Sequence, residues 1–398
     1  MQTKSAASSL PSATPETRWM GVGHSALSGS AEATSEAIHQ ALSGRTPRLV
    51  LVFCSPAYDV PTVAATAQAM AGDEAVVAGC TTAGEICGQL ALSQALVAVA
   101  LGGEGFTVSS RVASLEAGPR EAGRQVAQGL LELERPHKVL MLLSDGLIGL
   151  RSELIRGAYG VAGAAVPLVG GCAGDDLLLV KTFQFHAGEV ISEGVVGIAL
   201  GSIAPMAIGT GHGWQRISEP VVVTGSDGRW IHRLNDEPAL DYFLHAVRAP
   251  AEAYKSGEAL PYGGLEYMLG LLRPGGEEIR ATVGADYATR SLLCSDVPEG
   301  TLVAIMQGSA EGTLNGTHEA CQLVSQALGE HEPLGVIAFD CVARLVMLGQ
   351  AGLMEELKIV TDAFPQAALG GFYTYGEFAR ARGSRGIHNA TLALLVLT

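Results

Sequence analysis

Cys80, Thr81, Thr82 and Glu85 fall within one short run, AGCTTAGE at residues 78–85, directly after the apolar Ala75-Val76-Val77. A thiol, two hydroxyls and a carboxylate among small residues can hold a ligand's polar groups, and the glycines let it approach the backbone. The pattern returns twice. Gly371-x4-Gly376-Glu377 brings Tyr373 and Tyr375, and Gly171-Cys172-Ala173-Gly174 leads into Asp175 and Asp176. Cys54-Ser55, Ser144-Asp145 and Asp340-Cys341 close apolar runs upstream. Arg344 follows the last of these and offers a fork for a carboxylate; Arg280, in EEIRATVGAD, has a similar profile.

These residues define an expected ligand-binding set: Cys80, Thr81, Glu85, Asp175, Asp176, Arg280, Cys341, Arg344, Tyr373, Tyr375 and Glu377. In it Arg344 would hold a ligand carboxylate and an acid would hold an amine or hydroxyl. Each member has a plainer competing role. Acids cap helices and turns, tyrosines pack with satisfied hydroxyls, and Asp340 can pair with Arg344 as a structural ion pair. Catalysis is the weaker reading. Cys341 beside Asp340 and Arg344 is the best nucleophile, yet no histidine base stands at fixed spacing. No G-x-S-x-G, phosphate loop or G-x-G-x-x-G occurs, so no catalytic residue is assigned.

The elements that must position this set repeat with it. Continuous apolar runs at 48–59, 138–149 and 334–345 read as buried parallel strands. A helical segment follows each (61–71, 150–164, 351–364), and another precedes each (31–43, 120–134, 317–329). After each glycine motif comes a further strand, at 92–103, 191–202 and 387–398. The spacing predicts an α/β fold of repeated β-α-β-α-β-β units at about 19–103, 105–202 and 301–398. Residues 203–300 break the pattern: an alternating Val/Thr run and a Gly-Ser-Asp-Gly turn predict a hairpin, followed by a helix over 238–247. The expected division is a Ser/Ala/Thr/Pro-rich leader over 1–18, a two-unit domain over 19–204, and a second domain over 205–398.

Bulk properties narrow the function. The net charge is −15 with no Lys/Arg cluster, which argues against nucleic acid or anionic membrane as partner. No apolar run approaches the roughly 20 residues that span a bilayer. Seven scattered cysteines without a C-x-x-C pair predict reduced thiols in a cytoplasm and no zinc site. The ten histidines show no metal spacing, so no metal is expected.

The chain resembles the FIST family. LVLVFCSPAYD, VVAGCTTAGEICG and VGGCAGDDLLLVKTFQFHAGEVISEGVVGIAL resemble the FIST N domain. NDEPALDYFLHAV, VPEGTLVAIMQG, AFDCVARLVMLG and ALGGFYTYGEFARARGSRGIHNATLALL resemble FIST C, so coverage runs from about Trp19 to Thr398. The resemblance implies an intracellular sensor of a small ligand, such as an amino acid or other small carboxylate. It would signal through a separate partner, a histidine kinase or cyclic-dinucleotide enzyme, since no output domain is visible. It also admits haem-based nitric oxide sensing, with His186, His212, His232, His245 and His388 as axial candidates. Any haem would be non-covalent, because C-x-x-C-H is absent. The oligomeric state is open.

Overall fold

The computed structural model describes residues 17–149, 151–163, 165–255, 264–294, 296–380 and 386–398. Residues 1–16 of the expected leader, and 381–385 within the last family-like block, lie outside the described residues.

Unit one runs β1 (Trp19–Ser25), α1 (Ser30–Leu42), β2 (Pro47–Cys54), α2 (Val60–Ala71) and β3 (Val76–Thr81). The hairpin β4–β5 (Glu85–Cys87, Leu90–Leu92) and β6 (Leu96–Gly102) complete it. Unit two repeats the order with β7 (Phe106–Ser114), α3 (Pro119–Val126), β8 (His137–Ser144), α4 (Arg151–Ala162) and β9 (Leu168–Cys172). Its hairpin is β10–β11 (Gln184–His186, Glu189–Ile191) and its last strand β12 (Gly194–Ser202). Unit three opens with β13 (Met206–Gly211), and the chain then leaves it for an inserted domain.

The insertion holds β14 (Gln215–Arg216), β15 (Val221–Ser226), β16 (Trp230–Leu234), β17 (Glu237–Pro238) and α5 (Ala239–Ala246). After these come β18 (Tyr267–Arg273), β19 (Gly276–Arg280), β20 (Gly284–Asp286), β21 (Ser291–Leu293) and β22 (Leu302–Gln307). Unit three resumes with α6 (Ala310–Leu328), β23 (Gly335–Cys341), α7 (Val342–Ala363) and β24 (Ala368–Thr374). It ends with β25 (Glu377–Arg380), β26 (Ile387–His388) and β27 (Leu392–Leu397).

The sequence places unit three at 301–398, whereas its first strand is β13, paired with β27 in the register Met206↔Leu397. The apolar run at 302–307 belongs instead to the inserted sheet, antiparallel to β18 and β15. An insertion that splits a unit hides its first strand from any search for contiguous repeats. The expected hairpin is β15–β16, and α5 fills the expected helix. The helix expected from 351 begins earlier, at Val342, and breaks at Gly349, whose φ of 57° falls in the left-handed region that favours glycine.

Each unit forms a mixed sheet with one parallel pair at its centre: β2/β3, β8/β9 and β23/β24. The units are exchanged in a ring. The β10–β11 hairpin of unit two extends the sheet of unit one, β25–β26 extends unit two, and β4–β5 extends unit three. Each hairpin thereby covers an edge strand that would otherwise expose unpaired backbone groups. The three inner faces share one core in which Phe53 stacks on Phe372 at 4.5 Å, with Phe339 edge-on to Phe372 at 5.8 Å. Burying each ring contributes about 1.5–3 kcal/mol. Gly371 lets β24 lie close to β23: a Cβ there would sit 2.0 Å from the Ala338 carbonyl oxygen. The inserted domain docks on unit three through Trp214, Met268, Ile279 and Met306 against Cys341, Ala343 and Ala390.

Candidate functional site

The ring exchange sets a register that aligns the strand ends. Glu85 pairs with Phe372, Glu377 with Gly171, and Gln184 with Cys80. Glu85, Glu377 and Gln184 are therefore equivalent, and Asp175 and Asp176 are not the third copy of the acid. Glu85 accepts from the Thr82 hydroxyl (2.5 Å) and the Ala95 N–H (3.1 Å). Glu377 accepts from Thr374 (2.5 Å) and the Thr391 N–H (3.3 Å) in the same pattern. Burial pushes each carboxyl up to about 8, against the opposing pull of those donors. Gln184 is fully buried, and neither of its amide atoms has a hydrogen-bond partner among the described residues. Alignment through Gln184 puts Ala173 where Thr82 and Thr374 stand, so no hydroxyl is available to it.

Asp175 and Asp176 tie the three units together. The Tyr375 hydroxyl donates to Asp175 at 2.5 Å, as do the N–H groups of Leu179 (2.8 Å), Val180 (2.7 Å) and Lys181 (2.9 Å). Burial alone would raise the Asp175 carboxyl, but these four donors hold it below the usual range. Ser55 donates to Asp176 at 2.7 Å, while burial and neighbouring Asp175 push Asp176 up. Backbone bonds close the rest: Ala83 N–H to Tyr373 O, Gly174 N–H to Thr81 O, and Cys172 N–H to Gly376 O. Cys80, Thr81, Glu85, Tyr373 and Glu377 are at most 1% exposed. The structure thus brings most of the expected set together as a hydrogen-bonded plug.

Arg344 is fully buried beside this plug, its partner Asp340 lying in register with Tyr373. It donates to Asp340 (2.8 Å), Glu356 and Thr317 (2.7 Å), and to the carbonyls of Gly211, His212 and Thr313. Every guanidinium nitrogen is engaged by the protein. Burial and the nearby Glu356 carboxylate raise Asp340 well above the usual range, with Arg344 opposing. Cys341 is 3% exposed, and burial followed by Glu377 pushes its thiol well above the ordinary value. A thiol held protonated is a poor nucleophile. Burial likewise raises Cys80, and it raises Cys172 to about 12.

Arg280 belongs to an open feature that the motif search misses. A cavity of about 540 Å³ where unit two and the β25–β26 hairpin of unit three meet the inserted domain is lined by Arg120, Arg156, Arg273, Arg280 and Arg380. Asp296, Tyr159, Ile155 and Ile387 contribute further lining. Arg280 is braced on the carbonyls of Ile279 (3.0 Å) and Ile387 (2.9 Å). Arg380 lies 3.8 Å over the Tyr159 ring. Asp296, from the inserted domain, accepts the Arg151 N–H (3.1 Å), the Ser152 N–H (3.2 Å) and the Ser152 hydroxyl (2.5 Å), capping α4. Arg151 then reaches the carbonyls of Tyr375 (3.1 Å) and Gly146 (2.5 Å), so the cleft wall is bonded to the plug. In sequence these arginines are scattered, and only the elements between them bring them together.

A second cavity, about 530 Å³, is bordered by His212, His388, Glu277, Glu278 and Glu319 beside the glycines of β13 and α6. Burial, with His388 and Arg344 adding to it, lowers His212 to about 4. Arg273 and the apolar Ile208, Trp214, Leu323 and Ala327 also line this cavity, but three acids against one arginine disfavour two haem propionates. His212 Nδ1 accepts the Trp214 N–H (3.0 Å) and His388 Nε2 is bonded to the Ala379 carbonyl (2.9 Å), so each has one ring nitrogen already engaged. Among the other candidates, His186 is bonded to Ser110 and His232 to Ser291, and His245 is exposed on α5. No metal-holding cluster of three or more His, Cys, Asp or Glu occurs among the described residues.

Comparison with known families agrees with this architecture: the FIST N domain matches residues 48–237 and the FIST C domain residues 239–380. The chain belongs to the FIST family. FIST domains are sensory domains of signal transduction. The boundary between the two FIST matches falls inside the inserted domain, just before α5. An uncharacterised protein of Methanocaldococcus jannaschii is 24% identical over 155 residues, covering 37% of this FIST chain and 30% of that relative's length. A solved cyanuric acid hydrolase from A. caulinodans gives a TM-score of 0.26 at 10% identity, covering 47% of this chain and 71% of its own. That likeness is too weak to carry an argument. Among the described residues no helix is long and apolar enough to cross a membrane.

Proposed function

We propose that this FIST chain senses a small carboxylate-bearing molecule in the arginine-lined cleft and reports its occupancy to a separate signalling protein, a histidine kinase or a cyclic-dinucleotide enzyme. The supporting observation is the concentration of charge: five arginines line one cavity of about 540 Å³ in a chain of net charge −15. Guanidinium forks recognise carboxylates by paired hydrogen bonds, and a cavity of this size lies in the range of small-molecule sites. The cleft spans two bodies of the fold, so a ligand bridging them would bias how they dock. The bond from α4 through Arg151 to Tyr375 offers a path from the cleft to the plug.

Thermal-shift titration of the whole chain with a panel of small carboxylates tests the reading. A concentration-dependent rise in midpoint is expected, and Arg156→Gln should weaken it about tenfold or more. A panel without any shift, at concentrations up to tens of millimolar, would discard the reading.

A further inference from the structure

Arg120 and Arg156 of unit two and Arg273 and Arg280 of the inserted domain line the cleft, and each pair shares a glutamate that stands outside the lining. On unit two, Glu153 serves both Arg156 at 2.5 Å and Arg120 at 3.8 Å. On the inserted domain, Glu278 serves both Arg273 at 3.4 Å and Arg280 at 3.5 Å. Each group holds one more guanidinium than carboxylate. Arg380 adds a fifth guanidinium, while Asp296 is engaged at the start of α4. Ile155, Ile387 and Pro298 supply apolar lining between the charged groups.

We infer that the cleft takes a small organic dianion whose two anionic groups are held apart by a short carbon body, one at each arginine–glutamate–arginine group. This rests on the cleft being the ligand site proposed above and narrows its ligand class. A monocarboxylate would compensate one group only and forgo the paired hydrogen bonds that the other pair of guanidinium forks offers. A dianion compensates both, and its carbon body meets the isoleucines. An inorganic ion would fill little of the cavity. The second anionic group can be a carboxylate or a phosphoryl group, since both suit a guanidinium fork.

Isothermal titration calorimetry on the full chain separates these cases, using butyrate, glutarate, 3-phosphoglycerate and inorganic phosphate as probes. Glutarate or 3-phosphoglycerate is expected to bind at least about tenfold tighter than butyrate, and the better of the two identifies the second anionic group. Arg156→Gln on unit two and Arg273→Gln on the inserted domain should each bring that affinity down to the butyrate level. Arg156 is well exposed, so its variant keeps the fold even where Arg273→Gln does not. Equal affinity for butyrate and glutarate would overturn the dianion while leaving a carboxylate sensor. Inorganic phosphate binding as tightly as the organic dianions would overturn a two-ended ligand. A dianion preference unchanged by Arg156→Gln would overturn its placement in this cleft. No binding by any of the four would remove the dianion, and failure of the wider carboxylate panel as well would remove the underlying reading.

Discussion

Glu85 and Glu377 occupy the same place in units one and three, each taking a threonine hydroxyl from three residues back and an N–H at the start of the closing strand. Unit two carries Gln184 at that register position, the neutral isostere of a protonated glutamate. The protein already tolerates an uncharged amide where the two acids are held uncharged by burial.

A pH dependence of stability follows. Both carboxyls rise from an ordinary 4.5 to about 8 on folding, mainly by burial; Asp176 adds to the rise at Glu85 and Arg151 opposes it at Glu377. The folded chain therefore holds protons that the unfolded chain releases. Their contribution to stability is whole below about 4.5 and declines as pH rises to about 8. Each carboxyl weakens the fold by about 1.4 kcal/mol per pH unit across that window. The lowered histidines, His212 above all, act with the opposite sign below about 6.5, so urea unfolding at pH 7, 7.5 and 8 should show falling midpoints. Glu377→Gln should reduce the slope, and the double change with Glu85→Gln should reduce it further, leaving the parts due to the other raised carboxyls, Asp340 and Asp176. Slopes unaltered by both changes would mean the acids are ionised in the fold.

Arg344 supports the core, and its loss should be read as a stability defect. Its removal leaves Asp340 and Glu356 buried without their cation. Truncation of one partner in such a group costs about 3–5 kcal/mol. Arg344→Ala is expected to lower the urea midpoint sharply. Carboxylate affinity, measured on the fraction that stays folded, should be unchanged. Loss of affinity without loss of stability would return Arg344 to the binding set.

The repeat was legible because each unit writes its strand–helix alternation into contiguous apolar and periodic runs. Glu85 and Glu377 were legible for the same reason, as carboxylates at one offset from a glycine. Gln184 was not, because the 173–183 loop displaces it from the offset its siblings keep. Nor was the cleft. Arg120, Arg156, Arg273, Arg280 and Arg380 come from five elements of unit two, the inserted domain and unit three and share no spacing; of these only Arg280 stood out, for a profile similar to that of Arg344. The polarity of the strand ends suggested an open pocket, yet the ring exchange lets each unit consume its neighbour's polar groups.

Haem uptake distinguishes the second cavity from a cofactor site. With three carboxylates, Glu277, Glu278 and Glu319, on its border against the single guanidinium of Arg273, two propionates would meet net like charge. Haemin added to the purified chain, with and without reductant, should give the spectrum of free haemin and no sharpened Soret band. A sharp band that His212→Ala or His388→Ala shifts would overturn this and move gas sensing to the front.

The Asp175 carboxylate organises the loop that follows it. Its bonds to Leu179, Val180 and Lys181 hold a backbone in which Asp176, Leu177 and Leu179 have φ of 53°, 64° and 54°. Non-glycine residues adopt such angles only where their surroundings offset the cost. A hydrogen bond to a charged acceptor contributes about 1.5–3 kcal/mol. In Asp175→Asn, native-state hydrogen exchange at those three amides should accelerate by about tenfold or more, with the β18 and β22 amides of the inserted sheet unchanged. Tyr375→Phe removes one donor and spares the backbone bonds, so it should give a smaller acceleration. Uniform acceleration across all strands would show that Asp175 stabilises the whole fold instead of this loop.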